Sequence, residues 1–308
     1  MIVIVCPGQG AQSPGFLSPW LELPSFRASI ERMQNASGID LIAHGTQSDA
    51  DTIRDTAIAQ PLIVGAGVAT VAQLFADAGA KSAGIAGVSG HSVGEITAAV
   101  ISGIFTEEEG IKFVAERGRE MAKAASLEKT SMAAVLGGEQ SAVEAKLAEL
   151  QLEPANYNGG GQIVAAGSAE AIASLQANPL AGTRVIPLQV AGAFHTRFMK
   201  PAVESLRSYA TSVAVNDPSI KIWSNNGGRA ITGGSEFVDL LVNQVSSPVR
   251  WDLCMQSMVD AGVTAMIEVA PAGTLVGLAK RSMPGVETLA IKTPENIEQA
   301  LLLINNHS

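Results

Sequence analysis

Hydrophobic positions fall along this chain in two rhythms. Residues 2–6, Ile-Val-Ile-Val-Cys, form a continuous apolar run closed by Pro7-Gly8, which predicts a strand buried on both faces and then a loop. A second such run at 83–88 leads into Ser89-Gly90-His91-Ser92-Val93-Gly94-Glu95. Helical spacing appears between and after them. One helix is predicted at 61–79, with Pro61 in its first turn and Gly79 at its end. Another spans 96–102 and stops at Gly103. A third starts near Thr106, with Glu107, Glu108 and Glu109 in the turn where acids suit the helix dipole.

From about Leu127 the order of elements changes. Strands are predicted at 130–136, 154–157, 162–166 and 184–190, with helices at 141–150 and at 168–176, the latter capped by Ser168. That β-α-β-β-α-β run, over about 65 residues, is the ferredoxin-like pattern, and it defines a small inserted subdomain at 127–191. Strand and helix then alternate again: strands at 221–224 and 265–269, helices at 237–245, 251–261 and 274–281. Residues 1–126 and 192–308 therefore read as one larger α/β unit, a mostly parallel sheet covered on both faces.

Composition agrees with burial. Of the 308 residues, 47% are hydrophobic and 16% charged, against roughly 25% charged in an ordinary domain. Disorder is excluded as the dominant state. The net charge of −9 argues against a protein that tracks nucleic-acid phosphates. Two cysteines, Cys6 and Cys254, are too few for a disulfide framework or a four-ligand zinc site. The five-residue apolar start is too short for a signal peptide. The longest uncharged stretch, 56–76, is broken by Gln60, Pro61, Thr70 and Gln73, so it reads as a buried helix and not a membrane span. The expectation is a soluble, cytoplasmic protein.

The strongest chemical signal is Gly90-His91-Ser92-Val93-Gly94, set between a predicted strand and a predicted helix. This is the context of a nucleophile elbow, where flanking glycines permit close backbone approach and lift the serine hydroxyl clear of the sheet. An incidental serine in a glycine-rich turn is the bland alternative. A serine needs a base. Of the four histidines, His307 is terminal, His44 lies in a polar segment, and His91 adjoins the serine and points away from it, which leaves His195. No triad acid is evident between Ser92 and His195, so a dyad with a carbonyl-oriented imidazole is expected. Gly8-Gln9-Gly10 reads as a plain turn, a weak dinucleotide fingerprint or a second oxyanion donor. Arg117 and Arg119 flank the apolar stripe Ile111, Val114, Gly118, Met121, Ala125, and periodicity alone does not choose between them.

Several segments occur together in a specific order. They are Pro7-Gly8-Gln9-Gly10-Ala11-Gln12, Ala59-Gln60-Pro61-Leu62, Gly90-His91-Ser92-Val93-Gly94-Glu95, Arg117-Gly118, Asn156-x-Asn158 with Gln162, Phe194-His195 with Met199-Lys200-Pro201, and Ser247-Pro248-Val249-x-Trp251. From residue 2 to about 292 the chain resembles the malonyl-CoA:acyl carrier protein transacylase family, and it is similar to the acyltransferase domains of polyketide synthases. The resemblance implies an α/β-hydrolase-like large subdomain with a ferredoxin-like insertion. It implies Ser92 as nucleophile, His195 as base, the Gln9 and Val93 N–H groups as oxyanion hole and Arg117 as partner of the malonyl carboxylate. It also implies the Gln244 carbonyl as the histidine's support, with Asn158 and Gln162 near the pantetheine path. Phe194 is shared with malonyl-selective polyketide relatives.

No metal and no permanently bound cofactor is implied. Malonyl-CoA and the phosphopantetheine of an acyl carrier protein are the expected substrates, and the carrier a transient partner of a monomeric enzyme. Carrier proteins of this family are acidic. A basic segment should meet them, and between residues 181 and 216 Arg184, Arg197, Lys200 and Arg207 face one acid, Glu204. The elbow alone would also fit a serine esterase or thioesterase.

Overall fold

A computed structural model describes residues 1–76 and 84–307. Its strands are β1 (Ile2–Cys6), β2 (Ile85–Gly90), β3 (Thr130–Leu136), β4 (Glu153–Gly159), β5 (Gln162–Ser168), β6 (Arg184–Pro187), β7 (Lys221–Trp223), β8 (Ala230–Ile231), β9 (Val249–Arg250), β10 (Ala265–Glu268) and β11 (Glu287–Ala290). Its helices are α1 (Pro24–Ser37), α2 (Leu41–Thr46), α3 (Thr56–Ala76), α4 (Gly94–Ile101), α5 (Glu107–Ala125), α6 (Gln140–Glu149), α7 (Ala169–Ala177), α8 (Lys200–Ala210), α9 (Gly234–Gln244), α10 (Trp251–Asp260), α11 (Thr274–Ser282) and α12 (Asn296–His307).

The strands form two sheets. A six-stranded sheet runs β11-β10-β1-β2-β7-β8 and is parallel apart from the antiparallel β7–β8 pair. Alternate residues of β1 enter opposite cores, as a strand's two-residue period requires. Ile2, Ile4 and Cys6 face the core that includes α1, α3, α4 and α5, while Val3 and Val5 face Trp251, Met258 and Leu275 of α10 and α11. The first run is therefore apolar at every position because both of its faces are covered.

The five-stranded sheet runs β6-β3-β5-β4-β9. Its β3–β5, β3–β6 and β4–β5 pairs are antiparallel, and Val143, Leu147, Ile172 and Leu175 of α6 and α7 pack on it. Its fifth strand comes from outside the segment 127–191 and is one the sequence reading did not include. Val249–Arg250, far along the chain, pairs in parallel with Asn156 and Tyr157. Two residues carry too little pattern to be read as a strand.

Other bounds shift for local reasons. The helix expected to begin at Pro61 begins at Thr56, because Asp55 accepts the Ala57 N–H on its side chain and the Ile58 and Ala59 N–H groups on its carbonyl. Pro61 thus sits inside the helix and leaves it one hydrogen bond short. Gly79 and Ala83 lie outside the described residues. The strand expected to reach 190 ends at Pro187, and the chain then turns so that Val190 N–H meets the Leu188 carbonyl. Thr106 and Glu109 form a reciprocal capping box at the start of α5. Helix α3 is long and apolar enough to cross a membrane by length and composition, yet 78% of its apolar window is buried within the molecule.

Candidate active site

The site begins where β2 ends. Gly90 closes the strand and Gly94 opens α4, so three residues make the turn. A Cβ on Gly90 would lie 2.0 Å from the Gly94 carbonyl carbon, and one on Gly94 would lie 2.1 Å from the Cys6 carbonyl oxygen. Only glycine fits at either point. Between them Ser92 is held at φ 53°, a left-handed conformation that costs a serine about 1–3 kcal/mol. Asn225, just past β7, holds it there. Its Oδ1 accepts the Ser92 N–H at 2.8 Å and its Nδ2 donates to the Gly90 carbonyl at 2.7 Å.

The sequence places His195 103 residues after the serine, and the fold brings the two together. Ser92 Oγ lies 2.7 Å from His195 Nε2. On the other side of the ring, Nδ1 lies 2.8 Å from the Gln244 main-chain carbonyl. A carbonyl only accepts, so Nδ1 carries the proton and Nε2 offers its lone pair to the serine hydroxyl. His195 has a positive φ of 62°, and its N–H donates to the Val245 carbonyl at 3.0 Å. Burial, and then the nearby Arg117 charge, push its pKa down to about 3, so the imidazole is neutral at pH 7. His91 turns the other way: its Nε2 is 2.9 Å from Asn158 Oδ1, and its ring meets Trp251 edge-on.

The two arginines of α5 separate cleanly. Arg119 is exposed and pairs with Glu116. Arg117 is 1% exposed. The cause is Gly118, where a Cβ would come within 2.9 Å of the Thr56 carbonyl oxygen; without it α5 lies close against the start of α3. The Arg117 guanidinium is held by neutral oxygens. Nη1 donates to Gln60 Oε1 at 2.7 Å, and Nη2 donates to Gln244 Oε1 at 2.8 Å and to Ser92 Oγ at 3.5 Å. Its Nε is buried without a partner among the described residues. Burial lowers its pKa to about 10, which leaves it cationic at neutral pH.

Behind this lies a carboxyl group. Glu95 accepts the Asn225 N–H at 2.6 Å and a bond from Gln244 Nε2. Gln244 Nε2 also reaches the Ser92 carbonyl at 3.1 Å. Burial raises the Glu95 pKa to about 8 despite these donors. Sequence reasoning missed Glu95, Asn225 and the Gln244 side chain as site residues. Asn225 alone had a signal, the polar Ser224-Asn225-Asn226-Gly227-Gly228 stretch at the carboxyl end of a parallel strand.

A cavity of about 90 Å³ opens over the serine. Gln9, Gln60, His91, Ser92, Val93 and His195 give it polar groups, and Met121, Met132, Leu188, Val190 and Phe194 give it apolar walls. Neither the Gln9 nor the Val93 N–H has an acceptor among the described residues. Asn158 is buried under His91. Gln162 lies apart from this cavity: its Oε1 accepts from Arg281, and it lines a separate hollow with Gly137, Gly138 and Tyr157. Among the described residues no three His, Cys, Asp or Glu side chains converge as a metal site requires.

A serine on a strained strand-to-helix turn, a carbonyl-oriented imidazole and a buried guanidinium within one fold define a protein of the acyltransferase class, and residues 3–295 match the acyl transferase domain family. Within that class the chain belongs to the malonyl CoA-acyl carrier protein transacylase family. It is 44% identical to the transacylase of that name from Mycobacterium bovis, over 97% of this chain and 99% of that one. It is 31% identical to the Bacillus subtilis protein of the same name, over 97% and 96%. The crystal structure of the Mycobacterium tuberculosis enzyme superposes with a TM-score of 0.93 at 44% identity, covering 97% and 99% of the two chains. A type II polyketide malonyl-transacylase, solved in complex with its acyl-carrier protein, superposes with a TM-score of 0.92 at 26% identity, covering 98% and 99%.

Proposed function

We propose that the protein transfers the malonyl group from malonyl-CoA to the phosphopantetheine thiol of an acyl carrier protein, through a malonyl ester on Ser92. The observation that carries this reading is the 2.7 Å contact of Ser92 Oγ with an imidazole whose far nitrogen rests on a carbonyl.

His195 Nε2 takes the hydroxyl proton as Oγ attacks the thioester carbonyl carbon. The oxyanion that forms is met by the Gln9 and Val93 N–H groups, the latter at the start of α4 where the helix dipole adds to it. The C–S bond breaks, and the coenzyme A sulfur leaves with the proton from Nε2. The carrier's thiol then gives its proton to Nε2 and attacks the ester, and Oγ leaves and is reprotonated. Each step is carried by side chains and backbone amides, so the protein is read as needing no bound cofactor. A neutral base suits this cycle. Pairing of the acyl carboxylate with Arg117 also removes part of the repulsion that holds the His195 pKa down, so a diacid makes its own base stronger.

The architecture supports a hydrolase-like catalytic subdomain of residues 1–126 and 192–308. The β-α-β-β-α-β order of 130–187 supports a ferredoxin-like subdomain at 127–191, to which β9 adds a strand. Asn158 stands one contact from the elbow, as a buried support of His91, which favours a positioning role over a surface on the pantetheine path. Gln162, remote from the acyl cavity, would meet only the outer part of a long substrate. The enzyme is read as a cytoplasmic monomer whose carrier docks near Lys200, an exposed residue for which no ion pair is found among the described residues, beside a hollow that also includes Arg197. The test is the fate of the acyl-enzyme. Rapid discharge to a phosphopantetheine thiol and slow discharge to water support transfer, whereas rapid loss to water with no preference for a thiol would make it a thioesterase.

A further inference from the structure

Gln60 stands between Arg117 and the acyl cavity, and its two ends do different things. The atom 2.7 Å from Arg117 Nη1 must be the carbonyl oxygen, since a guanidinium only donates. The amide nitrogen is therefore turned the other way. Its only partner among the described residues is the Met121 sulfur at 3.5 Å, and a thioether is a weak acceptor. Gln60 is 2% exposed and lines the cavity beside Ser92, Val93 and Phe194. One of its N–H groups is thus buried with no good acceptor, at the wall of the cavity that opens over Ser92.

An acyl group carrying a free carboxylate would supply what is missing. A carboxylate has about four lone-pair sites, and a single guanidinium already bound to two amide oxygens leaves some of them unmet. We propose that Gln60 is a specificity-determining residue for acyl groups with a terminal carboxylate. Its oxygen fixes the Arg117 guanidinium without neutralising it, and its nitrogen donates a second hydrogen bond to the same carboxylate. The neutrality of the amide matters as much as its reach. A carboxylate at this position would pair with Arg117 and cancel the charge that selects the diacid. An uncharged acyl group leaves both the guanidinium and the amide nitrogen unsatisfied, and that penalty is the discrimination.

This inference rests on the proposed malonyl transfer, so the wild-type protein is first tested for acylation by malonyl-CoA; failure there would remove the function itself and leave Gln60 untouched. Rates of acylation by malonyl-CoA and by acetyl-CoA are then compared in Gln60→Glu and Gln60→Leu. Gln60→Glu should lower kcat/KM for malonyl-CoA by about 10²-fold or more, through KM, while acetyl-CoA is affected far less, so that the preference shifts toward the uncharged acyl group. Gln60→Leu should narrow the malonyl preference by about tenfold, the worth of one lost charge-assisted hydrogen bond. Should the leucine variant fail to fold, the glutamate variant, of nearly the same volume, carries the test alone. An equal fall for both acyl groups in a protein with an unchanged melting temperature would make Gln60 a mere support of the helix and overturn the proposal, as would an unaltered preference.

Discussion

The two sheets of this molecule are made of similar residues, yet they stand in different relations to the chemistry. In the six-stranded sheet β1, β2 and β7 are parallel, so their carboxyl ends lie at one edge. Gln9, Ser92 and Asn225 follow those ends within a few residues, which is where parallel sheets gather their sites. In the five-stranded sheet neighbouring strands from β6 to β4 run in opposite directions, so no single edge collects successive loops. It lends strand residues instead: Met132 and Asn156 to the cavity wall and Asn158 to His91. Direction of strand pairing thus separates the sheet that presents Ser92, the proposed nucleophile, from the sheet that lends strand residues to the cavity wall.

Removing either member of the proposed serine–histidine pair should have the largest effect. Ser92→Ala or His195→Ala should lower acyl transfer by roughly 10³–10⁶-fold. Asn158→Ala, on the enclosing sheet, should cost no more than about tenfold. Steady-state rates with malonyl-CoA check both; an Asn158 effect as large as that of His195 would erase the distinction.

Backbone substitutions come next. Gly90→Ala forces a methyl onto the Gly94 carbonyl carbon and should cost about 3 kcal/mol or more, with loss of activity. Gly182→Ala, in the loop before β6, has a positive φ of 77° but open space around it, and should cost only about 1 kcal/mol. Thermal unfolding distinguishes the two.

Arg117→Ala should lower kcat/KM for malonyl-CoA by roughly 10²-fold or more and retain or raise transfer of acetyl groups. Survival of malonyl transfer at the wild-type rate would mean the carboxylate is held elsewhere.

How far the sequence reaches follows from the range of the interactions involved. Ser92 was legible because its setting is local: an apolar run, two glycines and a helix lie within a dozen residues. His195 was legible by elimination among four histidines. Arg117 and Arg119 were equivalent by periodicity, and only the approach of α5 to α3 through Gly118 turns one of them inward. Glu95 and the Gln244 side chain were not legible and Asn225 only by its polar stretch after a strand, because the three meet across 130, 149 and 19 positions and no motif joins them. Pro61 misled because a helix can begin before a proline when Asp55 supplies the cap.

Acidity sharpens the picture with smaller effects. His195 is neutral down to about pH 3, so the acid limb of kcat/KM should lie well below the usual imidazole value near 6.5. Its depressed pKa contributes stability that is present above pH 6.5 and lost as the pH falls through that window toward 3. Glu95 works in the opposite sense. Its carboxyl, raised from 4.5 to about 8, contributes stability that is present below pH 4.5 and lost as the pH rises through 8. Its ionisation also sets a negative charge near Arg117. Malonyl transfer should therefore weaken above about pH 8, and Glu95→Gln should flatten that loss; an unchanged alkaline limb in this variant would detach Glu95 from the site.

The smallest effect belongs to the surface. Lys200→Glu should raise KM for the carrier protein a few-fold and leave KM for malonyl-CoA unchanged. Arg197, already paired with Glu153, should matter less than Lys200. Equal changes for both substrates would move the docking face elsewhere.

The most direct measurement is the intact mass of the protein after brief mixing with malonyl-CoA, followed by mapping of the modified peptide. One malonyl group per chain is expected, on the peptide that contains Ser92; it disappears when a phosphopantetheine thiol is added and never forms in Ser92→Ala. A malonyl group on any other residue, or none on the wild-type chain, would contradict transfer through Ser92.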